Sequence, residues 1–214
     1  MKLAVFDLDG TIADTLCDLA DAVNAGLRDM GYPVHRYDEY RYMVGNGAAK
    51  LCERALPEGA KERAAELRGL FDGYYRQHYL DKTRLYDGMT EVMEKLSASD
   101  VRLAVATNKP EVFAQAMIAM LLPDTDFVRV LGGRPDRPVK PDTAIISEIL
   151  SALPEGDVTA YMIGDSNVDI QTAQNAGIIG IGCAWGFRGR TELENAGADF
   201  IAEIPDDIVT FICN

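Results

Sequence analysis

The sequence has little of what most catalytic or scaffold devices need. Only two histidines, four cysteines and one tryptophan occur in 214 residues. Cys17, Cys52, Cys183 and Cys213 form no C-x-x-C pair and have no histidine at ligand spacing, so a zinc site and a disulfide scaffold are both poorly supported. They read as reduced, mostly buried thiols of a cytoplasmic protein. There is no G-x-x-x-x-G-K-[ST] loop and no G-x-S-x-G elbow. His35 and His78 lie outside every motif and read as surface or packing residues, so a Ser-His-Asp or Cys-His device is not expected. Positive charge is also scarce, with 21 Lys and Arg against 34 Asp and Glu, a net charge of −13. Such a surface repels nucleic acid and anionic lipid, and neither is an expected partner. The first apolar run, residues 3–6, is too short for a signal peptide, and no run approaches membrane-spanning length.

What is present suits a soluble globular chain: 48% hydrophobic and 26% charged residues, enough to bury a sizeable core. Short apolar runs at residues 3–6, 101–106, 127–131, 160–163 and 178–183 read as strands. Helical patterns at 110–121, 142–150 and 167–176 alternate with them. Strands buried on both faces lose polar alternation, and strand–helix alternation implies a doubly wound parallel sheet, an α/β fold. Between about residues 15 and 84 the rhythm breaks. No convincing strand occurs there, and helical patterns at 16–30, 48–55 and 60–79 are separated by glycine- and proline-containing breaks. This predicts a small all-helical domain of residues 15–84 inserted into a core of residues 1–14 and 85–214, placed where it could act as a lid.

Four polar clusters each follow a predicted strand: Asp7-Leu8-Asp9-Gly10-Thr11, Thr107-Asn108-Lys109, Lys140-Pro141 and Gly164-Asp165-Ser166-Asn167-Val168-Asp169. In a doubly wound sheet the carboxyl ends of the strands form the ligand crevice, so clusters distant in sequence should converge. Asp7 and Asp9, two residues apart, project to one side, although D-x-D-G alone is also a turn signal. Asp165 reads as the opening residue of a helix, where it could simply be a cap, with Asp169 on the same face. Carboxylates gathered in one crevice repel unless a cation sits among them, and all-oxygen ligands favour Mg²⁺. Lys140 would add positive charge toward an aspartate and a phosphate, or be a solvated lysine before a helix. Thr107 and Asn108 offer a hydroxyl, an amide and backbone N–H groups to a phosphate, or cap the helix near residue 110. Arg84, Arg188 and Arg190 are given no role, since most arginines are solvated.

These motifs resemble, in order, those of the haloacid dehalogenase superfamily in its aspartate-nucleophile phosphatase branch, over essentially the whole chain. The resemblance implies that Asp7 attacks phosphorus, forming an aspartyl-phosphate, and that Asp9 is the general acid and then base. It implies Mg²⁺ held by Asp7, the Asp9 carbonyl and Asp165, with Asp169 at the metal or just behind it. The helical insert looks like that branch's cap. Gly45-Asn46-Gly47-Ala48, Tyr86-Asp87-Gly88, Trp185-Gly186-Phe187-Arg188 and Gly197-Ala198-Asp199 are similar to phosphoglycolate phosphatases. Gly45, Asn46 and Gly47, at a helix start, could contact substrate or form a plain turn. Thr143 departs from the pattern, standing where relatives often have proline. The expected activity is hydrolysis of a small phosphorylated metabolite, 2-phosphoglycolate first, by a monomer or homodimer. A pyrophosphatase, a sugar-phosphate phosphatase or a β-phosphoglucomutase-like isomerase would use the same core. A non-catalytic binding module should have lost one of Asp7, Asp9, Thr107, Lys140 or Asp165, and all are present.

Overall fold

The computed structural model describes all 214 residues. In chain order its elements are β1 (Lys2–Phe6), β2 (Ala13–Asp14), α1 (Leu16–Asp29), α2 (Ala48–Ala55), α3 (Ala64–His78), β3 (Arg84–Leu85), α4 (Met89–Ala98), β4 (Val101–Pro110), α5 (Glu111–Leu121), β5 (Phe127–Gly133), α6 (Ala144–Leu150), β6 (Thr159–Gly164), α7 (Asn167–Ala176), β7 (Ile179–Cys183), α8 (Arg190–Ala196), β8 (Phe200–Ala202) and α9 (Pro205–Cys213). Six strands form one parallel sheet in the order β5-β4-β1-β6-β7-β8. β1 is central, pairing Phe6 with Val105 on one side and with Ile163 on the other.

The period of two along β1 explains how both faces are covered. Ala4 and Phe6 pack with Met89, Met93 and Leu96 of α4, Met117 of α5 and Ile208 of α9. Leu3 and Val5 face the opposite way, toward Ile145, Ile146 and Ile149 of α6 and Ala173 of α7. Both faces of the strand are apolar because helices cover both.

Residues 16–78 are helical, with two 3₁₀ turns (Tyr37–Tyr42 and Glu58–Arg63) beside α1, α2 and α3. Their buried side chains, among them Leu27, Tyr40, Leu51, Leu67, Phe71 and Tyr75, form a separate cluster joined by Phe113 and Phe187. The segment is entered and left through a two-residue antiparallel ribbon, Ala13 opposite Leu85 and Asp14 opposite Arg84. Buried Asp18 ties the two crossings: its carboxylate accepts both the Lys82 and Thr83 N–H groups and the Thr83 hydroxyl.

Several expectations are adjusted. The ribbon puts a short strand at Arg84, where none was expected; two residues carry no periodicity. β8, three residues long, is missed for the same reason. The second sheet strand runs on from Ala106 to Pro110 through a register shift, pairing Pro110 with Gly133. The helix expected at 60–79 divides into a 3₁₀ turn and α3.

Candidate active site

The turn after β1 sends Asp7 into the crevice with Leu8 buried beneath it. β6 ends at Gly164, so Asp165 leaves the sheet beside it, and α7 begins two residues later. Asp165 does not open that helix. Ser166 is the N-cap, and Asp169 accepts both the Ser166 N–H (3.2 Å) and its hydroxyl (2.7 Å) through Oδ2. Serine with an acid three residues later is the ordinary helix-start pairing, which frees Asp165 from a capping role. A Cβ on Gly164 would stand 2.1 Å from Asp169 Cγ, so glycine there is what lets this aspartate turn back over the strand end.

Asp7, Asp165 and Asp169 are all buried, and each has a carboxylate oxygen within 4.8 Å of the others'. Lys140, from the loop between β5 and α6, sits among them. Its Nζ donates to Asp7 Oδ1 at 2.9 Å and Asp169 Oδ1 at 2.6 Å. Lys140 is thus a buried ion-pair partner and not a solvated lysine. Asp169 has both oxygens engaged, whereas Asp7 Oδ2 and Asp165 Oδ1 accept no bond from the protein.

Electrostatics follow from this crowding. Burial, opposed by Lys140 and reinforced by Asp169 and Asp9, raises the Asp7 carboxyl from 3.8 to about 6. Burial and then the charges of Asp169 and Asp7 push Asp165 well above its ordinary value. Burial alone would lower the Lys140 ammonium, but Asp169 and Asp7 hold it above its usual range. Three carboxylates and one ammonium leave a formal excess of two negative charges, and the donors are hard oxygens. That set fits a divalent cation such as Mg²⁺.

The sign of the pH dependence is then fixed. Between pH 3.8 and about 6 the folded protein holds a proton on Asp7 that the unfolded chain releases, so stability falls as pH rises through that window. In chelator, the melting temperature should drop from pH 4 toward pH 6 on this account, and Asp7→Asn should flatten the slope. A wild-type curve rising across the window with an unchanged Asp7→Asn curve would contradict the assignment.

Asp9 is not part of the three-acid cluster. Its Oδ1 accepts the Thr15 hydroxyl (2.7 Å) and the Lys109 ammonium (2.8 Å). Lys109 also donates to the Tyr75 phenol at 2.6 Å, across to α3. Thr107 is buried and lines a pocket together with Asp7 and Asp9. Asn108 lines it too, but its side-chain amide is not free for a phosphate. It donates to the carbonyls of Gly45 (3.0 Å) and Lys140 (3.1 Å) and accepts the Lys140 N–H. Asn108 is a strut between two site loops. Of the turn before α2, Gly45 and Gly47 line the pocket, whereas Asn46 turns aside to accept a hydrogen bond from Arg54.

The loop after β7 braces the site. Phe187 N–H donates to Asp165 Oδ2 (2.6 Å), and Trp185 donates to the Thr11 carbonyl. A Cβ on Gly186 would stand 2.2 Å from Asp165 Cβ, so only glycine allows this approach. Arg188, given no role from sequence, is mostly buried and donates to the Val44 carbonyl at 2.9 Å, while Arg190 pairs with Glu194 on the surface and Arg84 bonds neighbouring carbonyls. Lys109, Tyr75 and Arg188 are the functional candidates that sequence reasoning passed over. Tyr75 looks like one more apolar position on the buried face of a helix, and nothing local marks its hydroxyl.

The sequence model of the haloacid dehalogenase-like hydrolase family matches residues 4–183. Among curated proteins, the phosphoglycolate phosphatase of Vibrio cholerae is 34% identical over 99% of this chain and 96% of its own length. That of Psychrobacter arcticus is 37% identical over 87% of this chain and 84% of its own. A crystal structure of a predicted phosphoglycolate phosphatase from Haemophilus somnus superposes with a TM-score of 0.87 at 28% identity, over 99% of this chain and 97% of that one. No helix is long and apolar enough to cross a membrane. With four motifs meeting at one sheet end and relatives sharing a third of its residues across nearly its full length, the chain belongs to the haloacid dehalogenase-like hydrolases.

Proposed function

We propose that this hydrolase is a magnesium-dependent phosphatase that releases phosphate from a small phosphorylated metabolite, 2-phosphoglycolate first, through an aspartyl-phosphate on Asp7. One observation carries the reading: three buried carboxylates clustered with a single buried lysine, one of them, Asp7, lining a pocket at the sheet end. A structural ion-pair network gains nothing from a third, uncompensated acid, whereas a site for a cation and a phosphate needs one. The activity carried by the names of the relatives agrees with it.

In this reading Asp7 is the nucleophile through Oδ2, and Lys140 orients it while facing the phosphoryl oxygens. Asp9, steadied by Thr15 and Lys109, protonates the leaving oxygen and then takes a proton from the hydrolytic water. Thr107 and backbone N–H groups at Asn108 hold phosphate oxygens. Asp7, the Asp9 carbonyl and Asp165 would hold the cation, with Asp169 behind them, since its oxygens are used on Ser166 and Lys140. When bound, the cation supplies positive charge against the phosphoryl group and the carboxylates. Residues 15–84 act as a cap that closes the site from water, through Gly45 and Gly47.

The test is phosphate release from 2-phosphoglycolate, pyrophosphate and hexose phosphates, with Mg²⁺ and with chelator. We expect turnover only with the metal, and kcat/KM highest for 2-phosphoglycolate by about tenfold or more. A higher value for a hexose phosphate would replace the substrate assignment, and turnover undiminished in chelator would remove the metal from it.

A further inference from the structure

The pocket above Asp7 has two unlike sides. Toward the sheet it presents Asp7, Asp9 and Thr107, and toward the helical segment it presents Leu19, Leu51 and Phe71. Lys109 and Tyr75 stand where the two sides meet, and both line the cavity. Tyr75 is held by packing: its ring stacks on Phe71 at 5.0 Å and meets Phe113 edge-on at 5.1 Å.

The hydrogen-bond inventory of this pair is incomplete in an informative way. An ammonium has three N–H groups. Lys109 gives one to Asp9 and one to Tyr75, and no protein acceptor meets the third. The Tyr75 oxygen accepts from Lys109, but its own O–H reaches no protein acceptor. Burial, against the pull of Lys109, pushes the Tyr75 phenol up to about 12, so it keeps its proton. Two unused donors, one of them on a cation, therefore border a cavity whose remaining wall toward the helices is apolar. Buried donors without acceptors are costly, and a group that satisfies two at once while matching the charge is a carboxylate.

We propose that Lys109 and Tyr75 form a carboxylate-recognition site, by which this enzyme selects phosphomonoesters that carry a carboxylate. The assignment rests on the phosphatase reading above and deepens it. It also gives Lys109 two duties: steadying Asp9 and meeting the far end of the substrate.

The test compares kcat/KM for 2-phosphoglycolate with that for ethyl phosphate, which has a methyl group in place of the carboxylate. Wild type should prefer the carboxylate ester by about 100-fold or more. Tyr75→Phe keeps the ring and its packing, and should cut that preference about tenfold, mainly through KM for 2-phosphoglycolate. Lys109→Met should cut the preference further and also lower kcat for both esters, because Asp9 loses its partner. Equal rates on both esters in wild type would overturn the carboxylate site and leave the phosphatase reading standing. So would a Tyr75→Phe variant that loses the same factor on both, which is what a purely structural tyrosine predicts. Silence on both esters and on the wider phosphate panel would remove the phosphatase reading, and this proposal with it.

Discussion

Asp7→Asn should abolish phosphate release, by at least about 10³-fold in kcat, while leaving the metal-free protein as stable as wild type or more stable. The amide keeps the size of the carboxylate and can still accept from the Lys140 ammonium, but it is not a nucleophile toward phosphorus. The stability half of the expectation separates a functional acid from a structural one. Burial already holds the Asp7 carboxyl at about 6, so at neutral pH its ionised form works against the fold. Removing that charge should stabilise the apoprotein by up to about 3 kcal/mol. Activity lost together with a gain in melting temperature is the signature of a site that holds like charges together for function. A variant that loses several degrees, or that still turns over, would show that the carboxylate is not what the chemistry needs.

Lys140→Met should do the opposite to stability and the same to activity. The lysine is the one protein cation in direct contact with Asp7 and Asp169, and it is itself buried. Truncating it leaves two buried carboxylates without their partner, which costs about 3–5 kcal/mol, and removes a phosphoryl-stabilising charge worth about 10²–10³ in rate. The double variant Asp7→Asn/Lys140→Met gives the sharper reading. With one acid neutralised, the missing cation matters less, so the double variant should gain more over Lys140→Met than Asp7→Asn gains over wild type. Additive effects would mean that the pair is not coupled, and thermal unfolding in chelator measures it.

Much of this site was legible in the sequence, and the reasons are local. Apolar runs mark strands covered on both sides, and the acids at positions 7 and 165 stand where two such runs end, so their meeting follows from sheet topology. The bounds of the helix at 167–176 were legible, although its N-cap is Ser166 and not Asp165. What could not be read is direction. Asn108 and Asn46 look like ligand-binding amides in sequence, yet one is consumed by the carbonyls of Gly45 and Lys140 and the other by Arg54. Lys109 lay inside a recognised cluster, but its partner Tyr75 belongs to a helix whose buried face is indistinguishable from core. Arg188 reaches Val44 across most of the chain's length, a contact that no periodicity encodes.

The central place of β1 has a consequence in time. During synthesis Lys2 emerges long before Val101 and Thr159, the residues it will pair with on either side. The helices of residues 16–78 are complete in between, and most of their apolar cluster is drawn from that segment alone. At ~5–20 residues per second the interval before β4 appears is on the order of ten seconds. Through it the apolar β1 has no sheet to join, and a helical body can collapse beside it. Only when Phe113 and Phe187 arrive does that body receive the last side chains of its own core. Synthesis thus delivers the helical segment whole before the sheet can be completed.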